Sequence, residues 1–257
     1  MEQNNSNVLT KSLSKTYKKI THAQGVYLYD EDGRRYMDFG AGLAVTNIGN
    51  GVKEVCDAIA KQVYEVTYLN GGAFTSAVRE ELASNIIKLA PEGMERVFFC
   101  SGGSEAVESM AKIARQYQIE MGRPSKYKII SRWQSYHGNT FGTLSLGGRP
   151  SWRCRYDNLL LHMPHIAQCN CYRCPYGLER CSCNVPCAEE LERVIKYEGA
   201  ESVAAFVLEP VTGTTATATV PPVEYMKRIR EICDKYDVLM CCDEVITGLG
   251  RTGKNFA

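Results

Sequence analysis

No run in this chain approaches the ~20 consecutive apolar residues that cross a bilayer as a helix, and neither sign of charge prevails. Thirty basic residues stand against 29 acidic ones, a net charge of +1 over 257 residues. The first absence argues against a helical membrane span. The second removes the broad basic field with which a nucleic-acid binder, or a protein held on an anionic membrane, gathers its partner. A small molecule is therefore the expected partner, with no nucleic acid and no membrane. Residues 1–19 are polar and lack the apolar centre of an export signal, so the expected compartment is cytoplasmic. In that compartment the 12 cysteines stay reduced. Six of them crowd into residues 169–187, and the others are scattered through apolar stretches, where a thiol acts as a small hydrophobe.

What is present is ordinary core material, 44% apolar, in patterns that alternate between two periods. Residues 25–39 alternate apolar and polar on either side of Asp32-Gly33, which predicts a β-hairpin turning at that dipeptide. Val52, Val55, Ile59, Val63 and Val66 recur at three and four residues and predict a helix. Val78, Leu82, Ile86 and Leu89 predict a second, which Pro91 helps to end. Short apolar runs at 96–100, 127–131, 202–208 and 238–242 read as buried strands, with a helix on Tyr225, Ile229, Ile232 and Tyr236 between the last two. Buried strands alternating with helices predict an α/β fold with a mainly parallel sheet flanked by helices.

Four segments carry chemistry. At 97–106 an apolar run meets Ser101-Gly102-Gly103-Ser104 and then a helical pattern. Strand, glycine turn and helix start together make an anion site, because the backbone approaches closely and the first helical amides are unpaired. A plain strand-to-helix turn would need the same glycines. Tyr136-His137-Gly138 follows a strand that ends near Ser131, where an aromatic ring can stack on a planar ligand; surface packing is the alternative. Glu209 and Asp243 each end an apolar strand, and carboxylates there are costly unless paired. They could be helix caps or ion-pair partners. Alternatively, an Asp beneath a pyridine ring would keep the ring nitrogen protonated, making the ring an electron sink.

Assembled in this order, the segments resemble the class III (omega) aminotransferases, pyridoxal 5'-phosphate enzymes of fold type I. The matching stretches are the hairpin at 25–39, the turn 101–106, Tyr136-His-Gly138 with Gly142 and residues 144–146, Glu209-Pro-Val211, and the long run from Asp243 through Gly-Arg-Thr-Gly253. The resemblance implies a fold-type I large domain over 51–257, incomplete at its C-terminus. It also places 1–50, with the hairpin, in part of a small domain, and makes 165–190 a cysteine-rich excursion from the large one. By resemblance Gly102, Gly103 and Ser104 bind the cofactor phosphate, Tyr136 and Val245 pack on opposite ring faces, His137 shapes the site and Asp243 pairs with the ring nitrogen. Glu209 lies on the substrate side.

The implied activity is transamination between an amino donor (an omega-amino acid, an amine or an amino acid) and an oxo acid, by a homodimer. A racemase or aminomutase on the same scaffold, or a non-catalytic short form, are the alternatives. Two departures stand out: Ser101-Gly102 replaces the family's usual Asn-Ser, and Asn50 stands where a histidine often follows glycine. The family's Schiff-base lysine lies on a later strand, beyond Ala257, and Lys254 reads as a loop charge. The expectation is thus a fragment that is inactive by itself. Cys171-x2-Cys174-x8-Cys183-x3-Cys187, with Cys169 and Cys181 as alternatives, has a spacing that four thiolates around zinc could use and that reduced thiols in a loop could equally have.

Overall fold

The computed structural model describes residues 6–10, 12–180 and 183–257. The chain divides into two compact units, one ending at Glu81 and the other running over Leu82–Ala257.

In the first unit β1 (Ile20–Gln24), β2 (Tyr27–Asp30) and β3 (Arg35–Met37) form an antiparallel sheet in chain order. The hairpin joining β2 to β3 turns where the sequence predicts. Gly33 takes a φ of +75°, and Asp30 fixes the turn by accepting from the amides of Asp32 and Arg34 and from the Tyr36 hydroxyl. That hydroxyl and those amides hold the Asp30 carboxyl below the usual carboxylate range. β1 has no alternating pattern and was not foreseen. Asn50 lies in this unit, bridged through its backbone to Gly25, with its side-chain amide donating to the Gly25 carbonyl. α1 (Ala41–Ala44) is a single distorted turn, and α2 (Lys53–Glu65) is the first predicted helix. Its apolar stripe is laid out as expected but stays exposed at Val55, Ile59 and Val63. α3 (Ala77–Leu89), the second predicted helix, runs across the division.

The second unit is a four-stranded, wholly parallel sheet in the order β5-β4-β6-β7: β4 (Lys128–Arg132), β5 (His165–Ile166), β6 (Val203–Leu208) and β7 (Leu239–Cys242), with a single helical turn, α6 (Pro150–Arg153), in the chain between β4 and β5. Successive side chains on a strand point to opposite faces. Ile130, Phe206 and Leu208 therefore pack with α7 (Pro186–Glu198) and α8 (Val223–Lys235), through Leu191, Ile195, Ile229 and Ile232. Ile129, Ala205 and Val207 turn the other way, toward Val107 and Ala114 of α4 (Gly103–Glu120) and Leu146 of α5 (Phe141–Leu146). All six residues of β6 are buried, as a strand covered on both faces requires.

One expected strand is absent. Residues 96–100 join neither sheet, and Phe98 is 66% exposed. The run is apolar enough for a strand, but a strand exists only where a neighbour completes its ladder of backbone hydrogen bonds. β5 was not foreseen, since two residues are too few to leave a pattern.

Two buried contacts lock this frame. Lys126, just before β4, is 5% exposed, and its ammonium donates to the carbonyls of Ala200, Val203 and Tyr236, tying together the approaches to three strands. Burial, with Arg123 nearby, pushes its pKa below the usual lysine value. Gly148 packs so closely on the backbone of Arg132 and Trp133 that no side-chain atom fits. Its carbonyl accepts from the Gln134 amide and its own amide donates to Ser135. Two variants test the frame by urea denaturation. Lys126→Met is expected to lose about 2–4 kcal/mol, since three buried carbonyls lose a charged donor. Gly148→Ala is expected to lose about 1–3 kcal/mol through overpacking.

Candidate active site

Parallel strands bring their carboxyl ends to one rim, and the chain emerges from β4, β6 and β7 there as Arg132, Glu209 and Asp243. The amide of Asp243 donates to the Leu208 carbonyl at 2.8 Å, which sets Asp243 beside the end of β6. Its carboxylate is 6% exposed and accepts from His137 Nδ1 at 2.8 Å. A carboxylate can only accept, so Nδ1 carries the proton. The other ring nitrogen of His137 is buried without a hydrogen-bond partner. The second Asp243 oxygen accepts from the Val245 amide at 3.1 Å, which turns the chain toward α4.

At the start of α4, an added Cβ on Gly103 would stand 3.1 Å from both methyls of Val245. Ser104 Oγ accepts the Asn139 amide at 3.0 Å and keeps its own proton free to donate. Gly138, at φ +141°, fits between them: a Cβ there would lie 2.6 Å from the hydroxyl oxygens of Ser104 and Thr143. Only glycine meets both the dihedral and the space. The first amides of this helix, on Gly103, Ser104 and Glu105, have no partner within it and project positive partial charge. Gly102, the N-cap, is extended and has open space where a side chain would be.

The structure thus brings Gly103, Ser104, His137, Asp243 and Val245 together. Tyr136 adjoins them along the chain; its ring is 41% exposed and meets Trp152 edge-on at 5.2 Å. Glu209 is 5% exposed, and one of its carboxylate oxygens has no hydrogen-bond partner. Burial raises its pKa against the opposing pull of His137 and Arg132, with Asp243 adding to the rise.

Several participants were not foreseen. Arg132, 2% exposed, donates to the Glu209 carbonyl at 2.6 Å. It ends an apolar strand as Glu209 and Asp243 do, so the same signal was available one residue past the expected strand end. Glu108 accepts from the Thr140 hydroxyl and fills the space that Gly142 leaves. Trp152 and Asn139 carry no sequence signal. Among the described residues no three cysteine, histidine or acidic side chains converge as a metal ion would need. Cys181 lies outside the described residues.

Residues 9–257 match the family model described as Aminotransferase class-III. The chain belongs to that family. Among its relatives, the Bacillus subtilis aminotransferase YodT is 38% identical, with 98% of this chain and 56% of YodT aligned. The putrescine–pyruvate aminotransferase of Pseudomonas aeruginosa is 40% identical over 92% of this chain and 52% of its own length. The crystal structure of an amine transaminase from an uncultivated Pseudomonas species, in a PLP-bound form, superposes with a TM-score of 0.90 at 34% identity, covering 98% of this chain and 57% of that one. The fold is accordingly fold type I, and this class III chain spans about half the length of the curated relatives it matches.

Glu209 supplies a pH test. Its folded pKa is raised above the ordinary 4.5, so between the unfolded and folded values the folded chain holds a proton that the unfolded chain has released. Its contribution to stability is complete below the unfolded value and is lost as pH rises through the folded one. Glu209→Gln, which cannot ionise, is expected to gain stability relative to the parent as pH rises above 4.5, measured as the urea midpoint across a pH series. Parallel pH profiles for the two proteins would contradict the assignment.

Proposed function

We propose that the complete protein is a pyridoxal-phosphate-dependent aminotransferase moving an amino group from an amine or amino acid to an oxo acid, and that residues 82–257 of this chain hold the cofactor. The observation that carries this reading is the His137–Asp243 hydrogen bond set within reach of the α4 start through Val245 and Gly138. An anion site and a fixed carboxylate on one sheet rim suit a ligand with a phosphate at one end and a basic ring nitrogen at the other.

The residues present fit that group. The α4 amides and the Ser104 hydroxyl would hold the phosphate, with Gly102 and Gly103 leaving room beside them. Tyr136, its ring half-exposed, is available to stack from one side, and Val245 to pack from the other. Asp243, oriented by the Nδ1 proton of His137, would hold a proton on the ring nitrogen. The bound cofactor supplies an aldehyde that takes up the amino group and a ring that accepts the electrons of the broken Cα–H bond. Glu209, protonated more readily than a surface glutamate, can present either a donor or a charge on the substrate side.

A Schiff-base lysine is needed, and neither the buried Lys126 nor the half-buried Lys128 of the sheet unit is free to serve. Lys126 is spent on three carbonyls, and Lys128 pairs with Glu198 at 2.8 Å. Lys254 follows the Gly250–Gly253 turn, away from any strand. The lysine would come from a later strand of the complete protein. Relatives named for putrescine with pyruvate, and for diaminobutyrate with 2-oxoglutarate, support an amine or omega-amino donor and an oxo-acid acceptor. A cytoplasmic homodimer is the assembly in keeping with this reading; the free cysteines suit a reducing compartment.

Two measurements test the proposal. With pyridoxal phosphate the 257-residue chain is expected to bind without turnover, and borohydride is expected to fix the cofactor to none of its lysines. A single trapped lysine with measurable transamination would overturn the assignment of that role elsewhere. In the complete protein Asp243→Asn is expected to lower kcat/KM by on the order of 10²–10³, the usual cost of losing one preorganised electrostatic partner. A variant with unchanged kcat/KM would remove Asp243 from the reaction.

A further inference from the structure

The first unit carries two Asn-Gly pairs, Asn50-Gly51 and Asn70-Gly71, and in each the glycine leaves its backbone nitrogen open to approach by the asparagine side chain. The structure treats the two differently. Asn50 is tied down: its backbone exchanges both hydrogen bonds with Gly25, and its side-chain nitrogen donates to the Gly25 carbonyl at 3.1 Å. Asn70 is exposed, and its side-chain oxygen accepts from the Gly72 amide at 3.0 Å. This Asx turn folds the side-chain carbonyl back over the peptide that joins Asn70 to Gly71. The Asn70 backbone carbonyl accepts from the Ala73 and Phe74 amides at 3.0 and 2.9 Å, which holds the chain in that shape. Among the described residues, neither the Gly71 amide nor the Asn70 side-chain nitrogen has a hydrogen-bond partner. A Cβ on Gly71 would stand 3.1 Å from a guanidinium nitrogen of Arg79, so a cation lies beside the same peptide.

A carbonyl polarised by an amide, an unencumbered nitrogen next to it and a cation beside both favour attack of that nitrogen on the carbonyl carbon. We propose that Asn70 is a self-modifying site, converting through a cyclic imide to aspartyl and isoaspartyl residues with solvent water as the only other reactant. In the first step the Gly71 nitrogen bonds to the side-chain carbonyl carbon of Asn70. The Gly72 amide stabilises the negative oxygen that develops, and the Arg79 guanidinium adds to that field. The bond from that carbon to the side-chain nitrogen then breaks, and the nitrogen leaves as ammonia with the proton that Gly71 gave up. In the second step water adds to one of the two imide carbonyls. Opening at the side-chain carbonyl gives an ordinary aspartate, and opening at the backbone carbonyl routes the main chain through the side chain as isoaspartate. One asparagine and one water thus give one acidic residue and one ammonia, with no change of oxidation state. Either product sets a carboxylate beside Arg79. The isoaspartyl product also turns the carbonyl that holds the Ala73 and Phe74 amides into a free carboxylate and lengthens the main chain by one carbon, a few residues ahead of α3.

The test ages the 257-residue chain at mildly alkaline pH and follows both asparagines by peptide mapping, with an isoaspartyl methyltransferase and a labelled methyl donor marking the isoaspartyl product. Asn70 is expected to convert at least about tenfold faster than Asn50 in the folded chain. In urea the two rates are expected to converge, because unfolding removes the Asx turn and the Gly25 bridge alike; this comparison needs no variant. Gly71→Ala is expected to slow conversion at Asn70 by at least about tenfold, since the added methyl obstructs the attacking nitrogen. That variant keeps the fold: Gly71 has no positive φ, and the atom a methyl would meet is the far end of the Arg79 side chain. Three outcomes would each overturn the proposal. These are an Asn70 that stays intact while Asn50 converts, equal rates at the two asparagines in the folded chain, and an unchanged rate at Asn70 in Gly71→Ala.

Discussion

The parallel pairing of β6 with β4 on one side and β7 on the other is the constraint from which the rest of the second unit follows. A strand buried on both faces and bonded along both edges has no freedom of register, since a slip by one residue would exchange the contents of its two cores. Phe206 and Leu208 would then meet α4 and α5, while Ala205 and Val207 would face α7 and α8, large groups in the small space and the reverse. Fixed register fixes the rim. Arg132, Glu209 and Asp243 each leave the sheet at its carboxyl edge because the strands that carry them run in one direction.

From that rim the site is assembled by short-range contacts, most of them made by backbone. Asp243 is held by the Leu208 carbonyl, His137 and Val245; Ser104 is held by the Asn139 amide. The titrating groups are therefore positioned by the sheet and the first turn of α4, not by long flexible side chains. Preorganisation of this kind lets a carboxylate act on a ligand without first being reoriented. Glu209 shows the cost: burial without a full set of partners makes its charged form unfavourable.

Much of this was legible in the sequence, and the reasons differ by element. β4 and β6 were readable because covered strands leave continuous apolar runs, β7 because its short apolar run ends in a carboxylate, and the hairpin because Asp32-Gly33 has few other uses. Glu209 and Asp243 stood out because carboxylates at the ends of apolar runs need an explanation, Ser104 because it follows a glycine turn at a helix start, and His137 because it adjoins an aromatic residue and a glycine. Residues 96–100 misled for a related reason: apolar composition reports a preference for burial, whereas a strand depends on a neighbour that the run itself does not encode. The fit of Gly148 against Arg132 and the edge-on meeting of Tyr136 with Trp152 both join residues far apart in sequence. No local pattern reports such pairings.

Gly138 fills a gap bounded by two hydroxyl oxygens, with room for a hydrogen atom and nothing larger. Anyone diversifying this scaffold would therefore waste library members at that position, and at Gly148, where the obstacle is backbone. The indole of Trp152 offers more tolerant ground, since a side chain there borders solvent and can change size without displacing backbone.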